Sequence, residues 1–259
     1  MNRRTFIITT ISIADFAMAT ANLKGVNATY LRSTKYIDCD SLEIVKLANS
    51  LAVSSTTPTD TAIRIHNFVR DNVRFGFGSG FYDQKASMVL ELGVGFCNTK
   101  GTLFIALLRA AGIPARQHFV DINASILTPF VDPGTELVDH SYTEVFLEEQ
   151  WHKVDSYIVD AKLFSNAKKR LLVERKTIGY GIHRNGDFTW DGQSNRFSQF
   201  VDDKIFSRLT TKDYGVFEDV GAFYESGNGV NKLNFLVRAG FGLFTRSINQ
   251  RIEAVRNES

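Results

Sequence analysis

Apolar positions along the chain recur at two different periods, and the changes between them predict the elements. Over residues 40–51, Leu42, Ile44, Val45, Leu47, Ala48 and Leu51 fall at helical spacing, with Asp40 or Ser41 placed to cap the start. A turn at 54–58 separates this helix from a second one over 60–72, whose apolar face is Ile63, Ile65, Phe68 and Val69. Helical character resumes over 86–92. A helix beginning at Cys97 then carries Leu103, Phe104, Ala106, Leu107, Leu108 and Ala111 on a broad apolar face. Gly112 closes it, and Pro114 prevents its resumption.

The pattern changes after that helix. Residues 115–122 have strand character, and 123–139 read as a loop broken by Pro129, Pro133 and Gly134. Two further strand candidates, 140–147 and 151–158, form a hairpin around Glu148, Glu149 and Gln150. Beyond Asp160 the chain predicts a short basic helix over 166–176 and a loop-rich stretch over 181–193. A final helix follows, with Phe241, Phe244, Ile248, Ile252 and Val255 on its apolar face and Arg246, Arg251 and Arg256 off it. Docking of that helix on the core is the expectation preferred over an interfacial or partner-binding role. The elements add up to an α+β fold with a helical N-terminal part, an antiparallel sheet and a mixed or helical C-terminal extension. The expected division is a signal or flexible arm over 1–30, a core over 31–160 and an extension over 161–259.

Composition narrows the class. An apolar fraction of 44% suits a globular chain with a real core, and 30 basic against 28 acidic side chains give no electrostatic reason to expect nucleic acid. At the N-terminus, Asn2-Arg3-Arg4-Thr5-Phe6-Ile7 resembles a twin-arginine export signal, and Ala19-Thr20-Ala21 offers a small-residue cleavage site. Asp15 interrupts the apolar run between them, which leaves a frayed first helix as the other reading, and export and cytoplasmic residence both open. No later segment reaches the roughly 18 apolar residues of a membrane span. The glycine segment at Gly76, Gly78 and Gly80 has no strong strand before it and no lysine with Ser/Thr after it, so no phosphate-binding loop or other cofactor site is expected.

The candidate chemistry starts from the two cysteines, Cys39 and Cys97. Cys39 reads as a small buried hydrophobe. Cys97 opens a helix, where unpaired backbone N–H groups and the positive end of the dipole favour thiolate, the nucleophilic form. Gly93 and Gly95 before it permit a tight turn and an open approach. Of five histidines, His140 starts a strand directly after a loop. With Glu148-Glu149 as the turn, Phe146 pairs with Trp151, Glu144 with Lys153, Tyr142 with Asp155 and His140 with Tyr157. His140, Tyr142 and Asp155 then share one face, and His140 and Asp155 are diagonal neighbours roughly 7–8 Å apart, within reach of an imidazole–carboxylate contact. A slip of one residue would move Asp155 to the opposite face. His152 lies on that other face.

The runs Gly93-Val94-Gly95-Phe96-Cys97-Asn98-Thr99-Lys100-Gly101 and Leu107-Leu108-Arg109-Ala110-Ala111-Gly112-Ile113-Pro114-Ala115-Arg116 resemble the core of the bacterial transglutaminase-like superfamily. So do His140-Ser141-Tyr142-Thr143-Glu144-Val145 and Trp151-His152-Lys153-Val154-Asp155, the likeness covering about residues 60–160. The resemblance implies a papain-like thiol fold with a catalytic triad of Cys97, His140 and Asp155, acting on peptide or protein amides by acyl transfer. Two positions depart from it: Asn98 stands where many members carry an acid, and Tyr142 where many carry tryptophan. The mechanism implied has Cys97 attack an amide carbonyl and His140 protonate the leaving amine, with the Cys97 N–H as one oxyanion donor. Tyr82 and Gln84, upstream in a cleft-loop region, are candidates for the second. A non-catalytic binding or assembly module on the same fold is the alternative. Metal binding by Cys97, His140 and Asp155 is disfavoured, because no second cysteine lies nearby.

Overall fold

In the computed structural model, residues 28–78, 80, 82–200, 212–230 and 235–258 are described, with 235–244 described as backbone only. The expected signal or arm lies outside the described residues, apart from a 3-10 turn at Ala28–Leu31. Helices α1 (Leu42–Ala52), α2 (Pro58–Asn72) and α3 (Ala86–Leu92) surround α4 (Cys97–Ala110), and two-residue strands β1 (Arg74–Phe75) and β2 (Val94–Gly95) pair in parallel beside it. The apolar spacing placed all four helices, with small shifts at the ends. The second begins at Pro58, with Thr57 as its cap, because the Thr57 hydroxyl accepts the Asp60 N–H at 3.0 Å.

Every residue of α4 from Cys97 to Arg109 is buried, as its wide apolar face requires. Its other wall is a four-stranded antiparallel sheet in the order β5-β4-β3-β8, where β3 is Ala115–Asn123, β4 Leu137–Leu147, β5 Gln150–Val154 and β8 Asp213–Phe217. The α+β class and the antiparallel sheet are therefore as the sequence predicted. Small strands β6 (Ile178–Gly179) and β7 (Ile182–His183) form a separate hairpin in the loop-rich stretch.

The hairpin register is the predicted one where the strands pair: Phe146 opposite Trp151 and Glu144 opposite Lys153. Glu148 and Glu149 both take left-handed backbone (φ 50° and 64°), the conformation that a two-residue turn between twisted strands demands. The predicted second strand, however, stops at Val154 rather than continuing to residue 158. The Arg196 carbonyl takes the Asp155 and Ser156 N–H groups at 3.0 and 3.3 Å, so the Tyr142–Asp155 and His140–Tyr157 pairs do not form.

The region after Asp160 departs further from the sequence pattern. Helix α5 is Ala161–Val173, starting five residues before the predicted basic helix, because the Asp160 carboxylate caps it through the Leu163 N–H at 3.1 Å. The edge strand β8 and the helix α6 (Val220–Glu225) were not predicted. The last helix, α7 (Phe235–Arg256), docks Ile248, Ile252 and Val255 on the core, as expected. The side chains of Phe241 and Phe244 lie outside the described residues. Arg256 is not off that face: it is 6% exposed, and its guanidinium bonds both Asp160 carboxylate oxygens and the Phe75 carbonyl. Among the described residues no helix is long and apolar enough to cross a membrane.

Candidate active site

Helix α4 presents Cys97 because the chain before it is forced into a tight turn. Gly93 closes α3 in the left-handed region (φ 61°). A Cβ on Gly95 would sit 2.7 Å from Thr99 Oγ1, so only glycine lets the strand pass so close to the helix start. The Phe96 N–H then donates to Thr99 Oγ1 at 3.0 Å, and the Lys100 N–H to the Phe96 carbonyl at 2.8 Å, which fixes Cys97 as the first helical residue. Both thiols are unbridged and buried, Cys39 as predicted.

Strand β4 carries His140 past that helix start. Its Nε2 lies 3.1 Å from Asp155 Oδ2, both side chains being essentially inaccessible to solvent. The Cys97 thiol donates to Asn98 Oδ1 at 3.8 Å and lies close enough to the imidazole to act on its protonation. Burial alone would push the imidazole toward its neutral form. The hydrogen bonds from Asp155 and Cys97 and their charges outweigh it, holding the His140 pKa up at about 9. The three residues singled out in the sequence are thus brought together, although Asp155 arrives from the turn after β5 rather than from a strand.

Asp155 is held from the other side by the extension. The Ser198 N–H and hydroxyl and the Gln199 N–H donate to Oδ1, and the Phe200 N–H donates to Oδ2 at 2.8 Å. The Phe200 ring lies against both His140 (centroids 6.4 Å) and Tyr142 (5.8 Å). Nothing in the spacing of residues 198–200 announces this role, because backbone N–H groups carry no side-chain signature.

A cleft open to solvent, about 510 Å³ including its mouth, is lined by Cys97 and His140. Its lining includes the aromatic residues Phe75, Phe77 and Phe96, the aliphatic Ile122, Ile126, Leu127 and Val138, and the polar Asp139, Gln199 and Tyr224. The extension shapes the aromatic lining: Asn249 grips the Phe77 backbone, accepting its N–H at 2.9 Å and donating to its carbonyl at 2.8 Å. Of the two oxyanion candidates, Gln84 is buried against Gly78 and Gly80, and Tyr82 stacks on Tyr224 at 4.2 Å. Neither is among the described residues that line the cleft. Asn98, next to the thiol, donates from Nδ2 to Tyr224 Oη at 3.1 Å and accepts from Ser141 Oγ at 2.9 Å.

Comparison with known proteins gives one family match and a few partial likenesses. An uncharacterized protein of Haemophilus influenzae is 35% identical over 97 residues, a stretch that covers 35% of this chain and 25% of that one. A crystal structure named "a Putative Cysteine Protease from Cytophaga hutchinsonii" superposes with a TM-score of 0.43 at 25% identity, over 52% of this chain and 43% of that one. A second, "a Putative Protease from Parabacteroides distasonis", gives 0.35 at 14% identity, over 53% and 26%. Both scores are too low for those structures to bear on function. Residues 45–156 match the family model of the transglutaminase-like superfamily, from α1 to the turn that holds Asp155. The match takes in the α4 helix and the antiparallel hairpin, and the chain spans about a quarter of the length of the curated relative.

Proposed function

We propose that the chain is a thiol-dependent acyltransferase or hydrolase acting on the amide bonds of a peptide or protein, with Cys97 as nucleophile, His140 as proton carrier and Asp155 as the group that orients it. The observation that carries this reading is the buried His140–Asp155 contact at 3.1 Å, in a cleft that the Cys97 thiol also lines from the first turn of a helix.

The Cys97 sulfur adds to the amide carbonyl carbon, and the carbonyl π pair moves to oxygen. The Cys97 backbone N–H donates to that oxyanion. His140, charged through most of the neutral range, gives its proton to the leaving nitrogen as the C–N bond breaks, and a thioester remains. Water or an acceptor amine then attacks the thioester, His140 takes the incoming proton, and the thiolate is released. Asp155 keeps the ring oriented throughout, itself fixed by the N–H groups of residues 198–200. Hydrolysis and amine transfer use the same residues and differ only in what enters the second step.

The test is mass mapping of a thioester after rapid acid quench with a library of peptide amides. The reading expects an acyl adduct on Cys97 that is absent from Cys97→Ser and His140→Ala. A folded wild-type protein that binds members of the library yet forms no adduct and cleaves none of them would overturn this reading in favour of the binding-module alternative.

A further inference from the structure

Helix α7 grips the segment around β1 at two alternate residues. Arg256 donates to the Phe75 carbonyl at 2.8 Å. Asn249, earlier in the helix, accepts the Phe77 N–H at 2.9 Å and donates to the Phe77 carbonyl at 2.8 Å. Glycine at position 76 lets the helix come so close, since a Cβ there would lie 2.9 Å from both Asn249 Oδ1 and Val94 Cγ2. We propose that Asn249 is a positioning residue for substrate choice: by fixing Phe77, it makes the cleft select acyl groups that carry a bulky apolar side chain. The inference rests on the acyl-transfer reading above and names a substrate class for it.

The rings lead from Phe77 to the nucleophile. The parallel pairing of β1 with β2 continues in the Gly76 N–H, which donates to the Gly95 carbonyl at 2.9 Å and brings Phe77 up to Phe96. These two rings stack with centroids 5.2 Å apart, and Phe75 meets Phe77 edge-on at 6.2 Å. Phe96 immediately precedes Cys97, and all three rings line the cleft together with the thiol. When the Cys97 sulfur adds to the amide carbonyl and the amine leaves, the acyl half of the substrate stays bonded to sulfur, beside Phe96. An apolar side chain on that half loses water-exposed surface against the rings. An acidic one loses hydration there and gains no donor from a ring.

The clamp gives the extension its hold on this choice. Asn249 spends both ends of its amide on one residue, so Phe77 cannot shift away from Phe96 without breaking two hydrogen bonds. The helix that carries Asn249 is itself fixed, through Ile252 and Val255 in the core and Arg256 on Asp160.

N-acetyl-phenylalaninal and N-acetyl-glycinal, used on the full chain, are the probes. Each forms a hemithioacetal on Cys97, and they differ only in the side chain. Protection of Cys97 from iodoacetamide, read by peptide mapping, gives the affinity of each. The quantity that decides is the ratio of the two affinities, because a change in thiol reactivity or a general loosening of the helix start moves both alike. The inference expects the phenylalaninal to bind wild type at least about tenfold tighter, and Asn249→Ala to cut that ratio by about three- to tenfold. In a Phe77→Ala background, Asn249→Ala should change the ratio no further, since it acts through that ring. If the alanine variant does not fold, Asn249→Asp takes its place, keeping the acceptor for the Phe77 N–H and losing only the donor to its carbonyl. Equal affinities in wild type overturn the inference, as does an unchanged ratio in the substituted protein or an equal fall with and without Phe77. A wild-type Cys97 that alkylates but is protected by neither aldehyde overturns the acyl-transfer reading, and this inference with it.

Discussion

Arg256 is the residue whose position departs furthest from the sequence pattern, and removing its charge tests why the extension belongs to the site. Its guanidinium makes contacts of 3.1, 3.1 and 2.7 Å with Asp160 and one of 2.8 Å with the Phe75 carbonyl, and its side chain and that of Asp160 are 7% and 9% exposed. In Arg256→Met the aliphatic volume is kept, but a buried carboxylate and a buried carbonyl lose their donor. Breaking one side of a buried pair costs about 3–5 kcal/mol. Asp160 still receives the Leu163 N–H at 3.1 Å and the Phe75 N–H at 3.4 Å, which places the expected loss near the lower end, about 3 kcal/mol. Urea unfolding at pH 7 should show a midpoint lower by roughly 1–3 M with an unchanged slope.

The pH dependence of that loss has a definite sign. Burial raises the Asp160 carboxyl's pKa, but the Arg256 hydrogen bonds and charge outweigh it, so the folded value is depressed. The stability this supplies is fully present above the unfolded carboxylate value, about 3.9, and is lost as pH falls through the folded one. The gap between wild type and Arg256→Met must therefore narrow in acid. A loss below about 1 kcal/mol at pH 7, or one that does not shrink toward acid, refutes the reasoning.

Three other outcomes follow from the same structure. With His140 held at about 9, kcat/KM on a peptide amide should fall with a midpoint near pH 9 as the general acid loses its proton, and Asp155→Asn should move that limb to lower pH. Lys100 is fully buried, donating to the Val73 carbonyl at 2.6 Å, and burial lowers its pKa to about 7. Because the unfolded lysine keeps its proton up to about pH 10.4, wild-type stability should gain from this group as pH rises from 7 to 10, and Lys100→Met should lack that gain in urea unfolding. Phe104 is inaccessible to solvent and packs 4.3 Å from the Tyr157 ring, so Phe104→Ala should lower the unfolding free energy by about 3–5 kcal/mol, read from the same denaturation curves.

What could be read from the sequence was what local chemistry decides. The α4 helix was legible because Gly93, Gly95 and Gly112 mark its ends and its apolar face is unbroken. The hairpin register followed from alternation and a two-residue turn. The positions of Cys97 and His140 needed nothing more. The contact to Asp155 was anticipated from a strand pairing that does not exist; the turn after Val154 achieves it by another route. Its backbone donors at 198–200 come from more than forty residues downstream, where no periodicity points to them. Strand β8 was missed because its five residues are held by β3 pairing and a His118–Asp213 contact at 2.6 Å rather than by alternation of their own. Arg256 was placed off the apolar face because a helical wheel sees one helix at a time, and the buried Asp160 that requires it belongs to another segment.

The central claim is that His140 activates Cys97, and alkylation resolves it with a built-in control. Cys39 and Cys97 are 7% and 8% exposed, so access alone does not separate them, and burial raises the Cys39 pKa. Iodoacetamide at pH 7, followed by peptide mapping, should label Cys97 at least about tenfold faster than Cys39, and His140→Ala should bring Cys97 down to the Cys39 rate. Equal rates in the wild type, or a Cys97 rate unchanged in His140→Ala, would contradict the account.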